Sequence, residues 1–187
     1  MSGTPQAEQR RLLEALFRTA VSAAQPARCL PPALPAPPAD PSGRIIVLGA
    51  GKAAAEMAVV AENHYRDLGI ENRIKGFVTT RHGYARATRT IAIREAGHPV
   101  PDAPGVAASR DTLALAATAT ASDIVLVLLS GGASALWTAP RGAISLDDKQ
   151  ALTRELLRAG APIGEMNTIR KHLSLIKGGG MARLAGR

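Results

Sequence analysis

The first apolar pattern in the chain is helical. Over residues 7–24, Leu12, Leu13, Leu16, Phe17 and Ala20 recur at 3.6-residue spacing, which predicts an amphipathic helix. Residues 26–43 break that rhythm. Seven of the thirteen prolines fall there in an Ala/Pro-rich setting, which predicts a loop or polyproline linker. Short apolar runs then alternate with helical patterns. The predicted strands are Arg44–Leu48, Gly76–Thr80, Thr90–Arg94 and Asp123–Leu129. The predicted helices span 52–66, Gly105–Ala119, Leu146–Ala159 and Gly164–Leu175. The last strand is an unbroken apolar run, the pattern of a strand buried on both faces. This alternation predicts a three-layer α/β/α, Rossmann-like fold with a mostly parallel sheet. The organisation expected is a helix over 1–25, a linker over 26–43 and a partial α/β domain over 44–187. The tail runs through Lys177 and three glycines to Arg187 with no closing strand, which predicts the front portion of something larger.

Composition narrows the function classes. With 187 residues, 46% apolar and 20% charged, the chain is long and apolar enough for a buried core. Only 3% of residues are aromatic, which argues against base-stacking nucleic-acid platforms. The net charge of +8 is spread out, with no Lys/Arg run longer than two, and suits small anionic ligands. A single cysteine, Cys29, excludes a disulfide framework and a cysteine-based zinc site. No stretch reaches the roughly 20 apolar residues of a membrane span, and residues 8–18 lack a signal core, so a cytoplasmic location is expected.

Candidate chemistry sits at strand ends, where ligands gather in such sheets. Gly49-Ala50-Gly51-Lys52 follows the first strand and opens a helix, an arrangement suited to an anion. Its G-x-G-x-x-A spacing fits a dinucleotide fingerprint, but the next strand ends Thr79-Thr80-Arg81-His82 with no acidic residue for a ribose. A Walker loop fails too, because apolar strand takes the place of its first glycine and Ala53 that of its Ser/Thr. Ser130-Gly131-Gly132-Ala133-Ser134, after the fourth strand, has the form of an oxyanion nest. If residues 164–175 and beyond stay helical, Asn167, Arg170, Lys171, Ser174 and Lys177 share one polar stripe, a clamp for phosphate or carboxylate. His98 and Asp102 in Gly97-His98-Pro99-Val100-Pro101-Asp102 are further candidates for meeting a substrate.

Together these segments resemble the glycerate 2-kinase family, two-domain kinases with a small C-terminal MOFRL domain. The residues that carry the resemblance are Val47–Ala54, Gly97–Asp102, Leu129–Leu136, and Asn167–Ser174 with Lys177–Gly179. The resemblance implies ATP-dependent phosphorylation of D-glycerate with Mg²⁺, the product expected being 2-phosphoglycerate. It implies Lys52 as the catalytic residue, in a cleft between two domains. Gly49, Gly51, Ser130, Gly131, Gly132, Ser134, Asn167, Arg170 and Lys177 are then expected to hold substrate or phosphate, with no protein metal ligand assigned. The partners expected are D-glycerate and ATP, with neither nucleic acid nor membrane, and homo-oligomerisation is left open. The family pattern continues past residue 187 into more sheet, the small domain and an arginine it brings to the site. Two competing readings stand beside this one: an NAD(P)H-dependent hydroxypyruvate reductase, and an inactive fragment that binds nucleotide or sugar acid.

Overall fold

A computed structural model describes residues 5–186. The first four residues of the 1–25 segment, and Arg187 at the end of the 44–187 segment, lie outside the described residues. Four strands form one all-parallel sheet: β1 (Ile45–Ala50), β2 (Ile74–Arg81), β3 (Ile91–Ala96) and β4 (Ile124–Leu129), in the order β3-β2-β1-β4. Helix α3 (Ala54–Asp67) covers one face and α4 (Ala103–Ala116) the other, which gives the three layers. Before the sheet come α1 (Pro5–Ala23) and α2 (Pro26–Cys29). After it come α5 (Ala133–Leu136), α6 (Leu146–Arg158), α7 (Ile163–His172) and α8 (Gly180–Ala185).

The core follows from side-chain size. β1 is wholly buried, and Ala54, Ala58 and Ala61 of α3 meet it without bulk, so helix and sheet approach closely. Glycine at position 49 serves the same end. A Cβ there would stand 2.9 Å from the Leu128 carbonyl oxygen and 3.0 Å from Val78. On the opposite face Ile46, Leu48, Leu136, Trp137 and Ile176 pack together. Helix α4 starts where Asp102 accepts the Gly105 N–H, with a proline in its first turn.

Three sequence expectations change. The 26–43 segment holds two short helical turns, Pro26–Cys29 and Pro31–Ala33, where an extended run was expected. It is also tied down: Tyr65 Oη donates to the Pro35 carbonyl, and Arg73 donates to the carbonyls of Pro38, Asp40 and Gly43. β4 is not buried on both faces. It stands at the sheet edge, so only Leu128 is fully covered, while Val127 and Leu129 are exposed. The apolar stripe of α1 forms as expected but covers nothing among the described residues, with Leu12, Leu13, Leu16 and Phe17 57–70% exposed.

Two carboxylates lock the frame. Asp123 binds the Arg44 guanidinium and backbone N–H together with Thr120, which fixes the starts of β1 and β4 side by side. Those donors, Arg44 first, hold its carboxyl far below the usual carboxylate range despite burial. Glu62 of α3 is 3% exposed and accepts the N–H groups of Arg89, Thr90 and Ile91 and the Thr90 hydroxyl at 2.7–3.1 Å. Burial opposes its ionisation, but these donors outweigh burial and lower its pKa.

Glu62→Ala leaves three backbone donors at the start of β3 without their acceptor and should cost about 2–4 kcal/mol. Urea melts of both chains at neutral pH measure this. Because the folded-state pKa is lowered, the Glu62 contribution is full above the unfolded value and is lost as pH falls through the folded one. The gap between the two melts should therefore narrow in acid.

Candidate active site

The sheet registers Ala50 against both Thr79 and Leu129, so β1 and β4 end level while β2 runs on to Arg81. The chain runs from β1 to one side through β2 and β3, then crosses to β4 on the other. The gap between the β1 and β4 ends is therefore the topological switch point, where an open α/β sheet binds ligands. Both glycine-rich turns stand there.

The two turns are stitched together. The Lys52 N–H donates to the Gly131 carbonyl at 2.9 Å and the Ala53 N–H to Ser130 Oγ at 3.0 Å. The Ser130 N–H donates to Ala50, and the Gly51 N–H to Thr79, both at 3.1 Å. Gly51 has φ +139°, and a Cβ on it would run into Ser130 Oγ and the Ser130 backbone. This changes the expected anion site in one respect. The N–H groups of Gly51, Lys52, Ala53 and Ala54 are taken by protein acceptors, so the glycine turn itself is not an open cradle. The functional group this turn presents is the Lys52 side chain, which is exposed and pairs with no carboxylate among the described residues. Gly49 and Gly51 serve the packing that puts it there.

Across from Lys52, the N–H groups of Gly131, Gly132 and Ser134 have no acceptor among the described residues. Gly132, at φ +94°, brings the turn against both Lys52 and His98. A Cβ there would be 2.7 Å from His98 Nε2 and 3.4 Å from Lys52 Cγ. Lys52, the glycine pair and His98 thus converge. Asp102 does not join them. It caps α4, receives His82 Nε2 at 3.0 Å and is held ionised, because donors from Gly97, His82 and Gly105 outweigh the effect of burial. That leaves it a poor base.

A cleft of about 520 Å³ opens beside this point, lined by the His98–Pro101 loop, Gly132, Ser134, one face of α6, Arg170 and Lys177. The expected polar stripe is split. Helix α7 ends at His172 because Ser174 pairs with Pro140 and Leu175 N–H turns to the Ala139 carbonyl. Asn167 and Lys171 are exposed outside the cleft, and Ser174 is buried. Arg170 reaches the cleft from α7. Lys177 reaches it from the turn beyond, with Nζ donating to the carbonyls of Trp137 at 2.7 Å and Ser134 at 2.9 Å. Burial first, then Lys149 and Arg170, push the Lys177 pKa down to about 8.

A family model described as a domain of unknown function, DUF4147, matches residues 12–187. The chain belongs to that family. The DUF4147 chain is 40% identical over 174 residues to a D-glycerate 2-kinase of Thermotoga maritima, covering 92% of this chain and 40% of that protein. It is 42% identical over 176 residues to an Agrobacterium vitis protein that carries a hydroxypyruvate reductase name, covering 94% and 39%. A crystal structure of glycerate kinase from T. maritima superposes with a TM-score of 0.81 at 37% identity, covering 96% of this chain and 42% of that one. The chain thus spans about two fifths of the length of these relatives.

Sequence reasoning placed the helix α6 but assigned it no part in the site. Lys149, Gln150, Thr153, Arg154 and Leu157 all line the cleft of the DUF4147 chain. Their i, i+1, i+4, i+5, i+8 spacing marks one helical face, the signal available in the sequence. Among the described residues no helix is long and apolar enough to cross a membrane.

Gly51→Ala should destabilise the chain by about 2–4 kcal/mol, through strained φ and collision with Ser130, measured by thermal or urea unfolding. Sulfate keeps its charge across neutral and alkaline pH. Its affinity for the chain should fall as pH rises through about 8, where Lys177 gives up its proton. Isothermal titration between pH 6.5 and 9.5 checks this, and Lys177→Met should flatten the curve.

Proposed function

We propose that this chain supplies one wall of an ATP-dependent D-glycerate kinase that forms 2-phosphoglycerate. One observation carries the reading. A free lysine, open backbone donors and a histidine meet at the switch point, beside a cleft lined by cations and no carboxylate. Two anionic reactants need such a place, because phosphoryl transfer is chiefly charge neutralisation and alignment. The glycerate kinase names of the Thermotoga relative and of the solved structure support the same reading, whereas the Agrobacterium relative carries a reductase name.

In this reading the glycerate 2-hydroxyl oxygen bonds to the γ-phosphorus as the bond to the β,γ-bridging oxygen breaks, and ADP leaves. Lys52 offsets charge on the phosphoryl group in transit. The Gly131 and Gly132 N–H groups and the Ser134 hydroxyl hold an anionic oxygen. Arg170 and Lys177 orient phosphate or carboxylate from the far wall. His98 is placed to take the hydroxyl proton. Asn167 faces solvent and has no part among these groups.

Mg²⁺ accompanies ATP in such reactions. Among the described residues no three His, Cys, Asp or Glu side chains converge, and the cleft wall has no carboxylate. The described residues do not form a metal site, and no step is derived through one. Hydride chemistry finds no support in the geometry. β2 lies beside β1 as a dinucleotide site requires, yet it ends in Thr80, Arg81 and His82 with no acid for a ribose.

The test is a chimera that joins this chain to the remaining portion of the Thermotoga relative. ADP release should depend on D-glycerate, and Lys52→Ala should lower kcat by about 10²–10³-fold. Oxidation of NADH by hydroxypyruvate, without glycerate-dependent ADP release, would overturn the kinase reading.

A further inference from the structure

Strand β2 ends in a residue that the proposed function leaves unused. Arg81 pairs with Ala96 of β3, and Thr79 pairs with Ala50 of β1. Ala50 and Ala96 belong to the core on the α4 and α5 side of the sheet. Side chains alternate along a strand, so Thr79 and Arg81 stand on that side too. Ala96, the partner of Arg81, immediately precedes Gly97, where the loop that carries His98 begins. The turn after β2 then fixes the side chain. The Tyr84 N–H donates to the Arg81 carbonyl at 3.2 Å, and Glu95 accepts the N–H groups of Tyr84 and Ala85 at 2.9 and 2.8 Å. Tyr84 is thereby held with its ring centre 3.6 Å from the Arg81 guanidinium carbon. Other arginines nearby have their donors taken: Arg44 by Asp123, Arg73 by backbone carbonyls and Arg86 by Glu56. Arg81 differs. Among the described residues no salt bridge engages it, and its buried Nε has no hydrogen-bond partner. The buried hydroxyl of Thr79 on the same face has none either, nor has that of Thr80 on the opposite face.

We infer that Arg81 grips the carboxylate of the acceptor acid and so decides which hydroxyl is presented for transfer. A buried donor without an acceptor costs stability, and native structures keep few of them. A guanidinium stacked on an aromatic ring still offers its N–H edge, a planar fork that matches a carboxylate with two parallel hydrogen bonds. One fork without a companion cation suits a monoanion, whereas a polyphosphate calls for several positive groups. The chemistry of the acid then fits the place. In a 2-hydroxy acid the carbon that bears the hydroxyl is bonded directly to the carboxylate carbon. A carboxylate held on Arg81, beside the start of the Gly97–Asp102 loop, turns that hydroxyl toward the point where His98 meets Gly132 and Lys52. A 3-hydroxyl is one carbon further out and is not presented. Arg81 is thereby a specificity-determining residue, and Tyr84 positions it.

The identity of the acid rests on the kinase reading, but its binding is tested without turnover. The buried Arg81 Nε–H gives an NMR signal that needs no variant. In the 187-residue chain, D-glycerate should move that signal and glycerol, which lacks the carboxylate, should not. A signal unmoved by D-glycerate, or moved equally by glycerol, would overturn the assignment. So would a signal moved by 2′-AMP and not by D-glycerate, since that is the phosphate an NADP site would hold at the end of β2. Arg81→Gln should weaken D-glycerate about tenfold, the loss of a charge-assisted pair of hydrogen bonds. Arg94→Gln removes an exposed cation from β3 and should change affinity less than about twofold. Equal losses from the two variants would reduce the effect to net charge and refute the grip. In the chimera, Arg81→Gln should raise KM for D-glycerate about tenfold and leave KM for ATP unchanged, whereas a merely structural role would move both. Should D-glycerate move Arg81 while the chimera releases no ADP, the carboxylate site stands and the kinase reading falls. Should the chimera turn over with Arg81→Gln at an unchanged KM for D-glycerate, the reverse follows.

Discussion

Two hydrogen bonds hold the site together: Lys52 N–H to the Gly131 carbonyl, and Ala53 N–H to Ser130 Oγ. They join the turn after β1 to the turn after β4 across the switch point of the sheet. Everything else at the site depends on that join. It takes the N–H groups of Lys52 and Ala53, so the Lys52 side chain is left as the functional group of its turn. It also orients the glycine pair so that the Gly131 and Gly132 N–H groups face outward without acceptors. The glycines make the join sterically feasible, since a Cβ on Gly51 would occupy the place of the Ser130 hydroxyl.

The electrostatics then separate into two regions. Lys52 is an exposed, unpaired cation at the end of the sheet. Lys149, Arg170 and Lys177 form a partly buried group in the neighbouring cleft, where burial and mutual repulsion lower both lysine pKa values. Among the described residues no carboxylate pairs with these cations or lines the cleft. Carboxylates with lowered pKa values serve the frame instead: Asp123 binds strand to strand, Glu62 anchors β3, and Asp102 starts α4. Negative charge is thus spent on structure, and positive charge is left for ligands.

Much of this was legible in the sequence. β-branched runs alternating with helical spacing gave the layers, and the glycine turns marked the ends of β1 and β4. Family resemblance pointed to the glycerate kinases found among the relatives. Other features were hidden for physical reasons. An apolar run reads alike in a central and an edge strand, so the exposure of Val127 and Leu129 was not visible. The polar stripe from Asn167 to Lys177 rested on a helix that continues beyond residue 175. The helix ends at His172 instead, at a turn that Pro140 and Ser174 shape, and the stripe divides there. Lys149 sits among ordinary charged helix residues, and only the placement of α6 against the His98–Pro101 loop gives it a ligand-facing role.

The join between the two turns is tested most directly by amide hydrogen exchange at four residues, free and with ATP and D-glycerate. The account predicts that Lys52 and Ala53 are protected in the free chain, that Gly131 and Gly132 exchange freely, and that ligand slows the glycines alone. Fast exchange at Lys52 and Ala53 in the free chain, with protection appearing there on ligand addition, would contradict it.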